Sequence, residues 1–478
     1  MDRGGRRQQS RGRPERAGKP AEQGWLGRRF EVLVGPVAHG GHCVARHEGR
    51  VVFLRHALPG ETVLAEVTED RGGSFCRADA VEIRQASPDR VTPPCEYARP
   101  GGCGGCDFQH VALPAQRALK AAVVAEQLSR LAGEDRPVTV LPLAATGRDN
   151  TETGLGWRRR VRFAVSPAGR PGLHAHRSHT VIPLEHCPIG APGVGDAAAL
   201  HRGWPGLAEL EIAVDDRGEV VEVAHRPTKH ARVHTDRNRG RAARPALTTE
   251  QLSGPPRLRY TVAGRQFAVR PAGFWQTHPD AAETFTRAVL AAADARPGER
   301  VLDLYAGSGL FTAALAEAVG VTGRVLGLEA DKAAVADAAG NLAGLPQAEV
   351  RRAPVDEQTV ETAVRALGGE PEIVVLDPPR SGAGRAVLAA VLRAAPRVVV
   401  YVACDPAALA RDVRLAKDAG WRLAGLSAFD AFPMTHHVEC VAVLRPDPDT
   451  ATTAHRSAGT GLDGPSADGS ENGTVQVG

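Results

Sequence analysis

No stretch of this 478-residue chain approaches the ~20 consecutive apolar residues that a bilayer-spanning helix needs. The N-terminus also lacks the apolar core of a signal peptide. A cytoplasmic protein with no membrane partner is therefore expected. Net charge is small, +4, so the whole-molecule field does not announce a polyanionic ligand. No internal repeat is present. At this length two or three compact units are expected rather than one. Disulfides are rare in a reducing compartment, so the eight cysteines point to metal binding, catalysis or small core positions.

What the net charge hides, its distribution shows. Residues 1–29 carry nine Lys/Arg against three acids, and His225–Arg244 carries seven against the single Asp236. Such runs are solvated tails or loops, or an electrostatic footprint for phosphate. Residues 1–28 and 446–478 are poor in large apolar groups and read as tails without a fold of their own. Over 29–87, short β-rich runs alternate with turn signals (Phe30–Val34, Arg50–Leu54, Glu61–Val67, Arg77–Ile83), which predicts a small OB-like barrel. Leu119, Val123, Val124, Leu128 and Leu131 then recur at helical spacing up to Gly133. Residues 88–270 read as a mixed central domain, with strands at Trp157–Val165 and Gly172–Ile182 and basic loops. Over 271–445, helices alternate with the apolar strands Val301–Leu304, Val325–Leu328, Ile373–Leu376 and Val398–Val402. The predicted class is α/β, with a Rossmann-like doubly wound domain closing the chain.

The strand Val301–Leu304 runs into Tyr305-Ala306-Gly307-Ser308-Gly309. Gly307 and Gly309 allow backbone to approach a ligand. Glu329 lies 20 residues after Gly309, where a carboxylate can accept hydrogen bonds from ribose hydroxyls. Thr312 occupies the place of the third glycine of a dinucleotide fingerprint. A nicotinamide or flavin site is the rival reading, but Asp303 just ahead of the turn favours S-adenosylmethionine, which needs no pyrophosphate cradle.

Three further segments follow: Leu376-Asp377-Pro378-Pro379-Arg380, then Tyr401-Val402-Ala403-Cys404-Asp405-Pro406, then Phe432-Pro433-Met434-Thr435-His436-His437-Val438-Glu439. Their order and content resemble the 5-methyluridine RNA methyltransferase family, whose motifs run Asp-Pro-Pro-Arg, Ser-Cys-Asn-Pro and Phe-Pro-x-Thr-x-His-x-Glu. The resemblance covers about residues 29–445. It implies an RNA (uracil-5-)-methyltransferase in which Cys404 is the nucleophile and Glu439 the base. It also places Gln276 of Phe274-Trp275-Gln276, Tyr305, Glu329, Asp377 and, on looser spacing, Asp356 against the cofactor. The chemistry needs this pair: C5 of uracil is a poor nucleophile until a thiolate adds to C6, and the adduct breaks down only when a base removes the C5 proton. Ala403 for Ser, Asp405 for Asn and Leu310 for the Asn of some members are the departures.

Cys95, Cys103 and Cys106 sit among prolines and glycines, and Cys187 is the natural fourth thiol. Zinc and an iron–sulfur cluster both take four thiolates. The pattern is similar to the [4Fe–4S] site of the family's 23S rRNA branch, although the gap from Cys95 to Cys103 is longer. That site is expected in a different domain from Cys404, so that its loss affects solubility before chemistry. Cys43, Cys76 and Cys440 read as core. The barrel resembles a TRAM domain, and Arg158, Arg159, Arg160, His176, Arg177 and His179 resemble the family's RNA-facing surface, with a solvated role equally open. The resemblance thus implies an enzyme acting on RNA, with 23S rRNA favoured, and a monomer without a protein partner is expected. The rivals are a tRNA T-loop uracil-5 methyltransferase and a non-catalytic iron–sulfur RNA-binding protein.

Overall fold

The computed structural model describes residues 24–143, 153–228 and 246–448. Most of the basic N-terminal tail, most of the 225–244 basic run and nearly all of the C-terminal tail lie outside the described residues. Contacts divide the chain into two units, one of residues 1–36 and 42–87, the other of residues 37–41 and 88–478.

In the smaller unit five strands lie in the order Arg29–Leu33, Thr62–Asp70, Phe75–Gln85, Arg50–Arg55, His42–His47. Strict alternation buries Phe30 and Val32 while their neighbours face out. Val52, Leu54, Val63 and Ala65 complete a dry interior. Register shifts between Thr62–Asp70 and Phe75–Gln85 supply the extra twist that curves so small a sheet. The fold begins before the predicted first strand. Trp25 donates its backbone N–H to Asp70 Oδ2 at 2.6 Å, and its ring lies against the guanidinium groups of Arg28 and Arg50.

Among the described residues the larger unit holds three sheets, the smallest being the antiparallel pair Leu258–Val262 and Arg265–Val269. Six antiparallel strands run in the order Val181–Pro183, Pro171–His174, Arg160–Val165, Glu209–Val214, Val220–Pro227, Leu247–Ser253. The predicted Gly172–Ile182 strand is two strands, because the chain turns through Arg177 at φ +53°. Gly172 is required there: a Cβ would lie 1.9 Å from the Ile182 carbonyl oxygen.

The second sheet has eight strands in the order Ala348–Arg352, Arg324–Glu329, Arg300–Leu304, Ile373–Leu376, Val398–Ala403, Glu439–Pro446, Trp421–Asp430, Val140–Pro142. The first five are mutually parallel, and Glu439–Pro446 runs antiparallel between its neighbours. Both faces are covered by helices, which is why these strands read as continuous apolar runs. Val301, Val400 and Val402 pack with Phe285 and Phe311 on one face. Leu302, Leu304, Tyr401 and Ala403 pack with Leu388, Leu409 and Val413 on the other. The predicted helix before Gly133 spans Leu113–Gln127, continues one wider turn to Ala132, and stops on Gly133 at φ +59°. Val140–Pro142, just beyond it, extends the eight-stranded sheet although it falls within residues 88–270. No helix among the described residues is long and apolar enough to cross a membrane.

Candidate active site

A cleft of about 1470 Å³ opens at the carboxyl ends of the parallel strands and is lined by Gln276, Tyr305, Gly307, Glu329, Asp377, Cys404 and Glu439. These residues come from six separate chain segments, and the sheet assembles them because each follows, ends or begins a strand of it or faces one across the cleft. Tyr305 leaves its strand at φ +67°, followed by Gly307 at +54° and Gly309 at +86°. That left-handed turn delivers the chain to the helix Leu310–Val319. Glu329, the last residue of the next strand, accepts the Gly307 N–H at 2.9 Å and the Asp331 N–H at 2.7 Å. Its carboxylate is thereby fixed at the cleft wall with lone pairs to spare.

Three predicted cofactor residues stand back from the cleft. Asp303 is fully buried beneath the turn and accepts the Thr312 hydroxyl at 2.5 Å. Gly309 caps the helix, where a side chain would press on Ala338. Asp356 accepts the Thr359 N–H at 2.9 Å as the N-cap of Glu357–Ala366. A helix cap accounts for that carboxylate, and the structure does not bring it to the ligand-facing wall.

Around Cys404 the electrostatics are those of crowded, poorly hydrated acids. Burial and then the charge of Asp303 push the Asp377 carboxyl up to about 7. Glu439, 6% exposed, is raised well above the usual carboxyl range by burial and by Asp377, against the opposing pull of Arg380. Burial, Glu439 and Asp377 push the Cys404 thiol up to about 11, with Arg380 again opposing. Cys404, Glu439, Asp377 and Arg380 thus form one coupled group on the cleft wall.

Several supporting residues carried no sequence signal, because their partners are distant along the chain. Lys120 is buried and donates to Asp430 Oδ1 at 2.6 Å and to the Phe432 carbonyl at 3.0 Å. Gln116 donates to the Phe108 and Val111 carbonyls and accepts the Met434 N–H at 2.8 Å. Together they bolt the helix Leu113–Gln127 to the segment that ends in Glu439.

None of Cys95, Cys103, Cys106 and Cys187 is in a disulfide. Each is raised first by burial, and charge on Cys187 raises the other three further. Among the described residues no group of three or more His, Cys, Asp or Glu side chains is arranged to hold a metal ion. The loop is nonetheless closer to Cys404 than the sequence led us to expect. Gly104 and Gly105 line the same cleft. The Asp107 and Phe108 N–H groups donate to the Met434 carbonyl at 3.0 and 2.9 Å.

Two of the four expected RNA-facing arginines are committed elsewhere. Arg159 pairs with Asp216, and Arg160 and Arg162 both pair with the buried Glu211. Arg158 lines the cleft itself, beside Trp157.

Comparison with known proteins now adds to this geometry. The family model described as tRNA (Uracil-5-)-methyltransferase matches residues 257–446, and the TRAM domain model matches residues 25–81. An uncharacterized RNA methyltransferase of Streptomyces avermitilis is 45% identical over 433 residues, covering 88% of this chain and 99% of the relative. The 23S rRNA (uracil(1939)-C(5))-methyltransferase RlmD of Halomonas elongata is 34% identical over 471 residues, covering 91% and 92%. The chain belongs to the RNA uracil-5-methyltransferase family. As members of that family do, it uses S-adenosylmethionine and acts on RNA, and its smaller unit is a TRAM domain. The structure of Pyrococcus abyssi tRNA (uracil-54, C5)-methyltransferase in complex with S-adenosyl-L-homocysteine superposes with a TM-score of 0.63. It covers 86% of this chain and 99% of that one at 22% identity, so the shared feature is the fold.

Proposed function

We propose that this methyltransferase modifies C5 of a uridine in 23S rRNA through a covalent bond between Cys404 and C6, with Glu439 as the base. The observation that carries the reading is that Cys404 and Glu439 line one cleft with Gln276, Tyr305, Glu329 and Asp377. The open turn at Gly307, where a Cβ would meet nothing within 4 Å, and the fixed Glu329 carboxylate fit the ribose and amino-acid portions of S-adenosylmethionine. That cofactor supplies an electrophilic methyl group on a sulfonium.

Cys404 Sγ gives its proton to solvent and forms a bond to C6 of the ring, and the electron pair of the C5–C6 double bond moves towards C5 and O4. C5 then takes the methyl group. Glu439 removes the C5 proton, the double bond re-forms and the thiolate leaves. The raised affinity of Glu439 for protons suits this last step, since an ordinary surface carboxylate holds a proton too weakly to compete for one on carbon.

The 23S assignment rests on the Halomonas relative and on the four-cysteine pattern, which we assign to a [4Fe–4S] cluster. The donor set fits a thiophilic centre. Cys103 Sγ accepts the Gly105 N–H and Cys106 Sγ the Gln109 amide, both at 3.3 Å. Such donors are the usual company of ligated thiolates. Eight cysteines with no disulfide among them suit the reducing cytoplasm, where we place the enzyme, acting as a monomer.

Mapping 5-methyluridine in the RNA of a deletion strain tests the assignment. Loss of the modification at a 23S position, with tRNA unchanged, is expected. Loss confined to tRNA would make the enzyme a T-loop methyltransferase instead.

A further inference from the structure

Asp405 departs from the asparagine of the family motif, and the larger unit supplies a partner for the change. Residues 37–41, which group with residues 88–478, bring His39 Nε2 to 3.1 Å from Asp405 Oδ2. The other carboxylate oxygen accepts the Ala408 N–H at 2.8 Å, capping the helix Pro406–Asp418. Two residues on, Gly41 sits at φ +77° so close to His436 that a Cβ would lie 2.7 Å from that residue's own Cβ. One five-residue segment therefore touches both the turn that carries Cys404 and the segment that ends in Glu439. It forms one wall of a cavity of about 100 Å³ whose other lining includes Cys404, Asp405, Arg380 and His437.

We infer that residues 37–41 are a strap that holds the nucleophile turn in register with the base segment, with His39 as the positioning residue acting through Asp405. The inference deepens the covalent reading above and rests on it for the role of Cys404. An asparagine at 405 would keep the helix cap but could not form an ion pair with an imidazolium. The aspartate makes the turn depend on His39. The groups facing His39 are Asp405, Arg411 on the helix Pro406–Asp418 and Glu126 on the helix Leu113–Gln127. Their sum, led by the Asp405 hydrogen bond, raises the imidazole above its ordinary value. Burial alone would raise Asp405, but the His39 and Ala408 hydrogen bonds outweigh it and hold the carboxyl below its usual range. Both partners are charged between those two limits. The ion pair is lost as pH rises through the raised value of His39.

The test uses the full chain and two readouts. The first is iodoacetamide alkylation of Cys404, mapped by peptide mass spectrometry against the fully buried Cys440 as an internal control for global opening. The second is the rate of covalent capture of RNA containing 5-fluorouridine. In His39→Ala, Cys404 alkylation should rise several-fold with Cys440 unchanged, while RNA capture slows about tenfold, as expected for a misplaced reacting group. The gap to wild type should narrow as pH rises. In an Asp405→Asn background, His39→Ala should add no further change. Unchanged Cys404 alkylation in His39→Ala, or an undiminished effect in the Asp405→Asn background, would overturn the strap. The alkylation arm needs no RNA, so a wild type that captures none contradicts the covalent reading and leaves the strap to be judged by alkylation.

Discussion

His436 Nδ1 donates to Asp107 Oδ2 at 2.6 Å, and the same oxygen receives the His436 backbone N–H at 3.2 Å. Asp107 directly follows Cys106, and His436 stands three residues before Glu439. The cysteine loop and the proposed base are thus joined by one doubly bonded carboxylate. Asp107→Ala should cost about 1–3 kcal/mol of stability through the unpaired donors it leaves. It should also slow methyl transfer about tenfold by loosening the Glu439 segment. Thermal unfolding and single-turnover assays measure the two effects. Normal turnover in a destabilised variant would make the link structural only.

Lys120 and Asp430 carry the other tie to that segment, and both side chains are essentially dry (0% and 2% exposed). Removing one charge strands the other. Lys120→Met should therefore destabilise by about 3–5 kcal/mol, while Lys120→Met with Asp430→Leu should recover part of the loss. Denaturant unfolding of the two variants checks this, and a double variant no better than the single would contradict it.

The state of Cys404 gives a pH prediction. Burial, Glu439 and Asp377 raise the thiol to about 11, so in RNA-free enzyme the reactive thiolate is scarce at neutral pH and grows with pH up to that range. Glu439→Gln removes one of the raising charges and should move the alkylation profile of Cys404 to lower pH. A wild-type profile centred at or below the ordinary thiol value would contradict the coupling.

Anaerobically purified enzyme should be brown and carry about four iron atoms with matching sulfide, as a Cys₄ cubane requires. Stoichiometric zinc without sulfide would replace the cluster with a structural zinc site. Because Asp107 ties this loop to His436, Cys106→Ser should lower methyl transfer as well as solubility.

The sheet strands Ile373–Leu376 and Val398–Ala403 were legible because burial on both faces leaves an unbroken apolar run. The turn at Gly307, the end-of-strand placement of Glu329, and Cys404 could be read from motif and strand together. The edge strand Val140–Pro142 was not, since three residues with one buried side chain leave no periodicity to detect. Asp356, placed against the cofactor only by resemblance on loose spacing, caps the helix Glu357–Ala366, a role its sequence position does not distinguish from a ligand-facing one. Lys120, Gln116, His39 and Asp107 stayed invisible for a different reason: their meaning lies in partners 310 to 366 residues away. Arg159 and Arg160 read as RNA-facing from sequence because their ion-pair partners, Asp216 and Glu211, lie more than fifty residues along the chain.

The order of events at Cys404 and Glu439 gives the covalent mechanism its most direct test. Glu439 is needed only after the methyl group has moved, so Glu439→Gln should still bond to C6 and still methylate C5, then stall. Incubated with ordinary uridine-containing RNA and methyl-labelled cofactor, it should accumulate a labelled RNA–protein adduct that survives denaturing electrophoresis, while Cys404→Ala gives neither adduct nor label. Near-normal turnover by Glu439→Gln, or a labelled adduct formed by Cys404→Ala, would contradict it.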